Sequence, residues 1–336
     1  MNINMKRYAI IGFGGLGKKH FLNMLEIEKE RNDIHLVAIC NSTIEGIFQN
    51  VTINIGTMDL SKVDFSKYNL YTDYKEMLEK ENLDFVIITL PSYMHHPVAT
   101  YCLEHGVDVF CEKPMAVTLE ECEDMMNVAE KTGRRLMIGQ VARFSPFVKY
   151  LKDLIETGKY GKPVKAEFSR RSALPTWSFE NWLLDDKKSG GCVVDLSIHD
   201  IDTINYLFGT PEKFSVASTH NMTKYESIYA LYQYKDFVAT VTADWGIPAK
   251  YEFKAELNFT FENAYIEQIN GVTKIYTGDS CEEIVFDKAN AFIDEIVEFI
   301  DGIIFDKPFT TVSTESVYET MKFVFAQKDQ ITKDMN

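Results

Sequence analysis

Over the first 140 residues, nearly continuous apolar runs alternate with amphipathic segments. RYAII, HLVAIC, DFVIITL, VDVFC and RRLMIG have the length and the β-branched and aromatic content of strands buried on both faces. Several are separated by FLNMLEIEKE, DYKEMLEKEN, PVATYCLEHG and LEECEDMMNVAEKTG, whose apolar residues recur every three or four positions. That alternation predicts a parallel sheet covered by helices on both faces. STIEGIFQNVTINIGTMDL, after HLVAIC, keeps neither period, and no third strand is placed there. From residue 141 the rhythm changes. A helix, PFVKYLKDLIETG, leads to a strand, KPVKAEFSRRS, and then to a polar stretch bearing Trp177 and Trp182. KFSVAST, SIYALYQY, FVATVTADW, YEFKAELNFTF and AYIEQI follow too closely to be joined by helices, and Asn270-Gly271 marks a hairpin turn. Two amphipathic helices, AFIDEIVEFIDGI and TESVYETMKFVFAQ, close the chain. The predicted class is α/β, with a Rossmann-type doubly wound parallel sheet over 1–140. An α+β domain with a mostly antiparallel sheet is expected over 141–336.

Strand RYAII runs into Gly12, Gly14 and Gly17, a GxGxxG at the start of a helix. In this position glycines permit a tight turn and close approach of backbone to a pyrophosphate, which the helix N-terminus then attracts. An acidic residue normally ends the second strand and binds the adenosine ribose when the cofactor is NAD. HLVAIC ends instead in Asn41, followed by Ser42 and Thr43. No carboxylate repels a 2′-phosphate and no adjacent arginine attracts one, so NAD and NADP both stay open.

Composition narrows the partners. The 336 residues exceed what one core usually spans, which agrees with two domains. Acidic residues outnumber lysine and arginine 50 to 35, and the net charge of −15 disfavours nucleic acid and anionic membrane surfaces. MNINMKRYAII shows no secretory pattern, and no apolar run reaches the roughly 18 residues of a membrane span. Six scattered cysteines without a CxxC pair suggest a reduced, cytoplasmic protein, and no metal site is expected.

Three stretches together are more specific than the glycine loop alone. They are Gly12-Phe13-Gly14-Gly15-Leu16-Gly17-Lys18-Lys19-His20, Glu112-Lys113-Pro114 after strand VDVFC, and Gly190-Gly191-Cys192-Val193-Val194-Asp195-Leu196-Ser197-Ile198-His199. With Pro91-Ser92-Tyr93-Met94-His95, they make the whole chain resemble the glucose–fructose oxidoreductase / inositol dehydrogenase / rhizopine-catabolism (Gfo/Idh/MocA) family. The resemblance implies NAD(P)-linked oxidation or reduction of a sugar, polyol or related hydroxyl compound. It also implies a large open sheet in the second domain, often used for oligomers, here a homodimer or homotetramer. Gly12 to Gly17, Asn41, Ser42, Leu90, Pro91, His95, Glu112 and Lys113 are the implied cofactor contacts, with a structural role equally open for His95.

Oxidising a secondary alcohol requires a hydride acceptor and a group that receives or stabilises the hydroxyl proton. Histidine suits the proton and a lysine ammonium suits the developing oxyanion. Lys113 follows a parallel strand, at the edge where open α/β sheets bind ligands. His199 comes from the second domain, and the two are expected to close on a substrate. Asp195, four positions before His199, and Asp202, three after it, would share one helical face, where Asp195 binds substrate or supports His199 and Asp202 orients the ring. Gly190-Gly191 would let a ligand approach that helix, and Arg143 and Trp177 are weaker candidates for the sugar pocket. His20 reads as a packing or hydrogen-bonding residue. Two competing readings stand beside the dehydrogenase: a glycosidase that oxidises its substrate transiently with bound NAD, and a non-catalytic dinucleotide or sugar sensor.

Overall fold

The computed structural model describes residues 5–53, 56–286 and 289–335, so the first four residues of the N-terminal segment read above lie outside it. In chain order the early elements are β1 (Lys6–Ile11), α1 (Gly15–Glu30), β2 (Ile34–Cys40), α2 (Ile44–Phe48), β3 (Val51–Ile53), β4 (Gly56–Met58) and β5 (Asn69–Tyr71). They continue with α3 (Tyr74–Lys80), β6 (Phe85–Ile88), α4 (His95–Glu104), β7 (Asp108–Glu112), α5 (Leu119–Thr132), β8 (Leu136–Gly139), α6 (Pro146–Thr157) and β9 (Pro163–Ala173). Three helices follow, α7 (Asp186–Ser189), α8 (Cys192–Asp195) and α9 (Ile198–Phe208), and then β10 (Lys213–Ala217), β11 (Ser227–Gln233) and β12 (Val238–Ile247). The remainder is β13 (Lys254–Phe261), β14 (Ala264–Ile269), β15 (Val272–Thr277), β16 (Ser280–Ile284), α10 (Ala291–Phe305) and α11 (Thr314–Asp334).

Contacts divide the chain into two compact units. The first comprises residues 1–116, 120–139 and 292–315, and the second 117–119, 140–291 and 316–336. Two consecutive domains, 1–140 and 141–336, would put α10 in the second. The chain instead returns, and Phe299 of α10 packs edge-on against Phe85 of β6 and Phe110 of β7.

In the first unit six parallel strands run in the order β5-β2-β1-β6-β7-β8. The strand order reverses between β1 and β6, the switch point where such sheets open a crevice at their carboxyl edge. Every residue of β6 and of β8 is buried, which is why those strands read as unbroken apolar runs. The stretch in which the sequence places no strand, residues 42–60, holds α2 and the small β3–β4 pair, and the third strand of the parallel sheet, β5, comes after it as three residues at the sheet edge. So short an edge strand, only half-buried, carries too few positions for a period to show.

The second unit holds an eight-stranded sheet in the order β10-β11-β12-β9-β13-β14-β15-β16, antiparallel except for the β12–β9 pair. Along β11 buried and exposed residues alternate, as expected for a sheet with one covered face. The covered face meets α6 and α11: Phe147 packs on Phe259, Phe323 on Tyr232, and the Tyr232 hydroxyl donates to Gln327 at 2.7 Å. Among the described residues no helix is long and apolar enough to cross a membrane.

Candidate active site

The glycine loop is built for close approach at one point and close packing at two. A Cβ on Gly12, whose φ is +90°, would lie 2.9 Å from the Thr89 carbonyl, and one on Gly17 would overlap the Gly12 carbonyl oxygen. Those two positions therefore let β1, α1 and the end of β6 come together. Gly14 differs: it is exposed, and a Cβ there would meet nothing within 4 Å. Gly14 is also the N-cap of α1, and no side chain caps the helix. Unclaimed N–H groups, the positive end of a 16-residue helix and open space over Gly14 are the donor set a dinucleotide pyrophosphate requires.

The loop is gripped on both sides of one residue, Phe13. Asn41 Oδ1 accepts from the Phe13 N–H at 3.1 Å, while Lys18 Nζ donates to the Phe13 carbonyl at 2.8 Å and to the Gly46 carbonyl at 2.7 Å. Lys18 thus ties the loop to α2, and burial pushes its pKa down to about 8. The reading of the sequence missed this residue, although a signal was present: Lys18 stands on the buried stripe of α1 with Phe21 and Met24. The Phe13 ring lies in the core against Phe21, so its side chain is corrected from cofactor contact to support of the loop. Gly15 and Leu16 open α1 half-buried, and Ser42 is exposed beside Asn41.

Gly14→Ala separates loop folding from anion binding. Its φ of −74° suits alanine, so thermal stability should hold within about 0.5 kcal/mol. Dinucleotide affinity measured by calorimetry should fall about tenfold or more, which is about 1.4 kcal/mol. Unaltered affinity would mean that the pyrophosphate does not approach Gly14.

Farther along the same edge, the segments after β6 and β7 are fastened to each other. The two ring nitrogens of His95 lie 2.7 Å from the Pro114 carbonyl oxygen and 2.8 Å from that of Leu90. Burial pushes the His95 pKa below its usual value, against the pull of the two carbonyls. Of the two roles open to His95, the structure shows the structural one: its ring, 1% exposed, is a clamp between those two carbonyls. Leu90 and Pro91 are half-buried next to it. Glu112 also has internal partners. Its carboxylate turns inward, with one oxygen 2.6 Å from His20 Nε2 and the other accepting from the Lys113 N–H at 3.2 Å. Lys113 itself is half-buried, and its bond to Pro114 is cis.

In the second unit the stripe of Asp195, His199 and Asp202 is not carried by one helix. α8 ends at Asp195 and α9 begins at Ile198, with Leu196 and Ser197 forming a turn between them. Asp195 and His199 are half-buried. Asp202 does not serve the imidazole as expected: its two oxygens accept from Arg143 Nε at 2.8 Å and Nη2 at 2.6 Å, and one also accepts from Thr320. Arg143, 2% exposed and bidentate on Asp202, is thereby corrected from sugar ligand to buried ion-pair partner. Gly190 and Gly191 serve the fold, because both have φ near +80° and a Cβ on Gly191 would lie 2.6 Å from Tyr225 Cβ. Trp177 stands on the surface, 67% exposed.

A Rossmann sheet with an uncapped glycine-loop helix, joined in sequence to a half-open antiparallel sheet, defines a two-unit dinucleotide-binding class. The family models agree. Residues 6–140 match the oxidoreductase family with an NAD-binding Rossmann fold, and residues 148–265 match the GFO/IDH/MocA C-terminal domain. The chain belongs to the GFO/IDH/MocA oxidoreductase family. It is 29% identical over 210 residues to 2,7-anhydro-N-acetylneuraminate hydratase of Mediterraneibacter gnavus, covering 62% of this chain and 51% of that protein. It is 30% identical over 204 residues to scyllo-inositol 2-dehydrogenase (NAD(+)) of Bacillus subtilis, covering 60% and 54%. The chain thus spans about half the length of these curated relatives. The crystal structure of myo-inositol 2-dehydrogenase from Lactobacillus plantarum superposes with a TM-score of 0.78 over 98% of each chain, at 23% identity, which shows the shared fold.

Proposed function

We propose that this protein is an NAD(P)-dependent dehydrogenase or reductase that moves a hydride between the nicotinamide and a hydroxyl or carbonyl carbon of a sugar, polyol or related small molecule. The observation that carries the reading is the open, uncapped start of α1 at Gly14, on the same carboxyl edge of the sheet where β7 ends just before Lys113. When bound, the nicotinamide accepts or returns the hydride. The ammonium of Lys113 stabilises the negative charge that grows on the substrate oxygen as its proton leaves. His199 holds that proton, and Asp195 binds substrate or favours the imidazolium. Trp177 offers an exposed aromatic face to the apolar side of a sugar ring. The test is a panel of sugars and polyols assayed by nicotinamide absorbance with NAD and NADP in each redox state. If no member of the panel changes the cofactor's redox state, the reading fails.

A relative named as a hydratase favours a second reading, in which the dinucleotide stays bound and no net oxidation occurs. Product formation without any absorbance change, by protein that retains dinucleotide through gel filtration, would select it. The choice between NAD and NADP turns on Asn41. Asn41→Asp keeps an acceptor for the Phe13 N–H and adds a charge that repels a 2′-phosphate, so selectivity should shift toward NAD. Equal selectivity in the variant and the parent would show that residue 41 does not face the ribose. Assembly as a homodimer or homotetramer is supported by the open face of the eight-stranded sheet, where Tyr229, Leu231 and Val272 are exposed. The five buried thiols, none in a disulfide, suit a reducing compartment such as the cytoplasm.

A further inference from the structure

Three residues from distant parts of the first unit converge in its interior: His20 on α1, Glu112 at the end of β7 and Glu295 on α10. One ligand-capable atom from each lies within 4.8 Å of the others, the only such group among the described residues. His20 and Glu295 are 0% exposed and Glu112 is 4% exposed. His20 and Glu112 meet at 2.6 Å, yet among the described residues neither oxygen of Glu295 has a hydrogen-bond partner, and neither does His20 Nδ1. A fully buried carboxyl with both oxygens unanswered is costly, by about 1–3 kcal/mol or more. Burial and the neighbouring Glu112 raise the Glu295 pKa well above the usual carboxylate range. A proton alone leaves the problem standing, since the resulting O–H also needs an acceptor at hydrogen-bond distance.

From this geometry we infer a structural divalent-cation site formed by His20, Glu112 and Glu295. Two carboxylates and a neutral imidazole cancel a charge of +2, so the loaded interior is neutral. Bonds of about 2.0–2.2 Å hold ligand atoms roughly 3–4 Å apart, a spacing these side chains reach by small rotations. One nitrogen and two oxygens suit a borderline ion of the Zn²⁺, Co²⁺ or Mn²⁺ kind. Mg²⁺, which keeps several waters, and Ca²⁺, which takes six to eight oxygens, fit a closed site of three residues poorly. The ion would fasten the returning helix α10 to α1 and to the strand end that precedes Lys113. Gly139 keeps space beside Glu112, because a Cβ there would stand 3.4 Å from Glu112 Oε1. The inference is independent of the catalytic reading.

Because the site is closed, the test begins with untagged full-length protein, refolded with and without Zn²⁺ or Co²⁺ and then freed of loose metal. Elemental analysis should give about one ion per chain, Co²⁺ should show visible absorption, and the loaded protein should melt at a higher temperature. Glu295→Gln should bind at least as weakly as losses of outer-shell partners allow, about 10–100-fold below the parent. His96→Ala, which removes the exposed His96–Asp124 pair, should change nothing. Wild-type protein without stoichiometric metal and with an unmoved melting point overturns the site, as does a Glu295→Gln variant that binds like its parent. Should that variant not fold, anomalous diffraction from metal-refolded wild-type crystals decides. A peak between His20 and Glu295 upholds the inference, and its absence overturns it.

Discussion

Lys113→Met is expected to reduce kcat about 10²–10³-fold while leaving the dinucleotide Kd within about twofold, the loss seen when one preorganised oxyanion donor is removed. Preorganisation is the physical core of this expectation. The backbone on either side of the Lys113 side chain is fixed: its N–H is held by Glu112 Oε2 at 3.2 Å, and the next carbonyl, of Pro114, lies 2.7 Å from the buried His95. A flexible four-carbon stem on so constrained a base positions its ammonium with little reorganisation when charge appears on substrate. Methionine keeps the length and apolar character of the stem and removes only the charge, so the pocket should keep its shape. His199→Ala should act on the proton step with a loss of about 10²–10⁴-fold. Single-turnover rates with a substrate found in the panel, alongside titration of the dinucleotide, separate the two effects. Both variants turning over at the parental rate would remove Lys113 and His199 from the chemistry.

Periodicity and local motifs made most of the scaffold legible. Buried parallel strands announce themselves as apolar runs, and the glycine loop has meaning because a strand precedes it and a helix follows. Local patterns stop where the chain meets itself over long distances. Arg143 and Asp202 are 59 positions apart and His20 and Glu112 are 92 apart, so no spacing rule marks either pair. Three of the four resembled something else: Arg143 a sugar ligand, Asp202 a partner for His199, Glu112 a cofactor contact; only His20 read as the packing and hydrogen-bonding residue it is. The single helical stripe read for Asp195, His199 and Asp202 failed for a different reason. Helical spacing was correct in count, but Leu196 and Ser197 interrupt the helix, and the two aspartates of α9 turn inward to arginines. Asp200 is bound by Arg170 at 2.7 Å, as Asp202 is by Arg143. Return of α10 to the first unit was equally invisible, since its apolar face reads the same whichever core it joins.

Those inward carboxylates carry the largest expected effect on stability. Arg143→Met should destabilise the protein by about 3–5 kcal/mol, the range found when one partner of a buried ion pair is removed. Asp202 is 0% exposed, and among the described residues the substitution leaves its carboxylate with only the Thr320 hydroxyl at 3.0 Å to answer it. The Ser316 hydroxyl, which accepts from Arg143 Nη1 at 2.7 Å, loses its donor as well. Because Ser316 and Thr320 lie on α11 and Asp202 on α9, one arginine joins two helices of the second unit to the turn before α6. Thermal unfolding should therefore fall by about 6–20 °C, taking about 2–4 °C per kcal/mol for a domain of this size. Adding Asp202→Leu to Arg143→Met removes the stranded charge, and the double variant should melt closer to wild type than Arg143→Met alone. Below its melting temperature the single variant should keep the parental KM, since a buried guanidinium bound at all three nitrogens cannot also hold substrate. A raised KM with unchanged stability would reverse the assignment and return Arg143 to the sugar pocket.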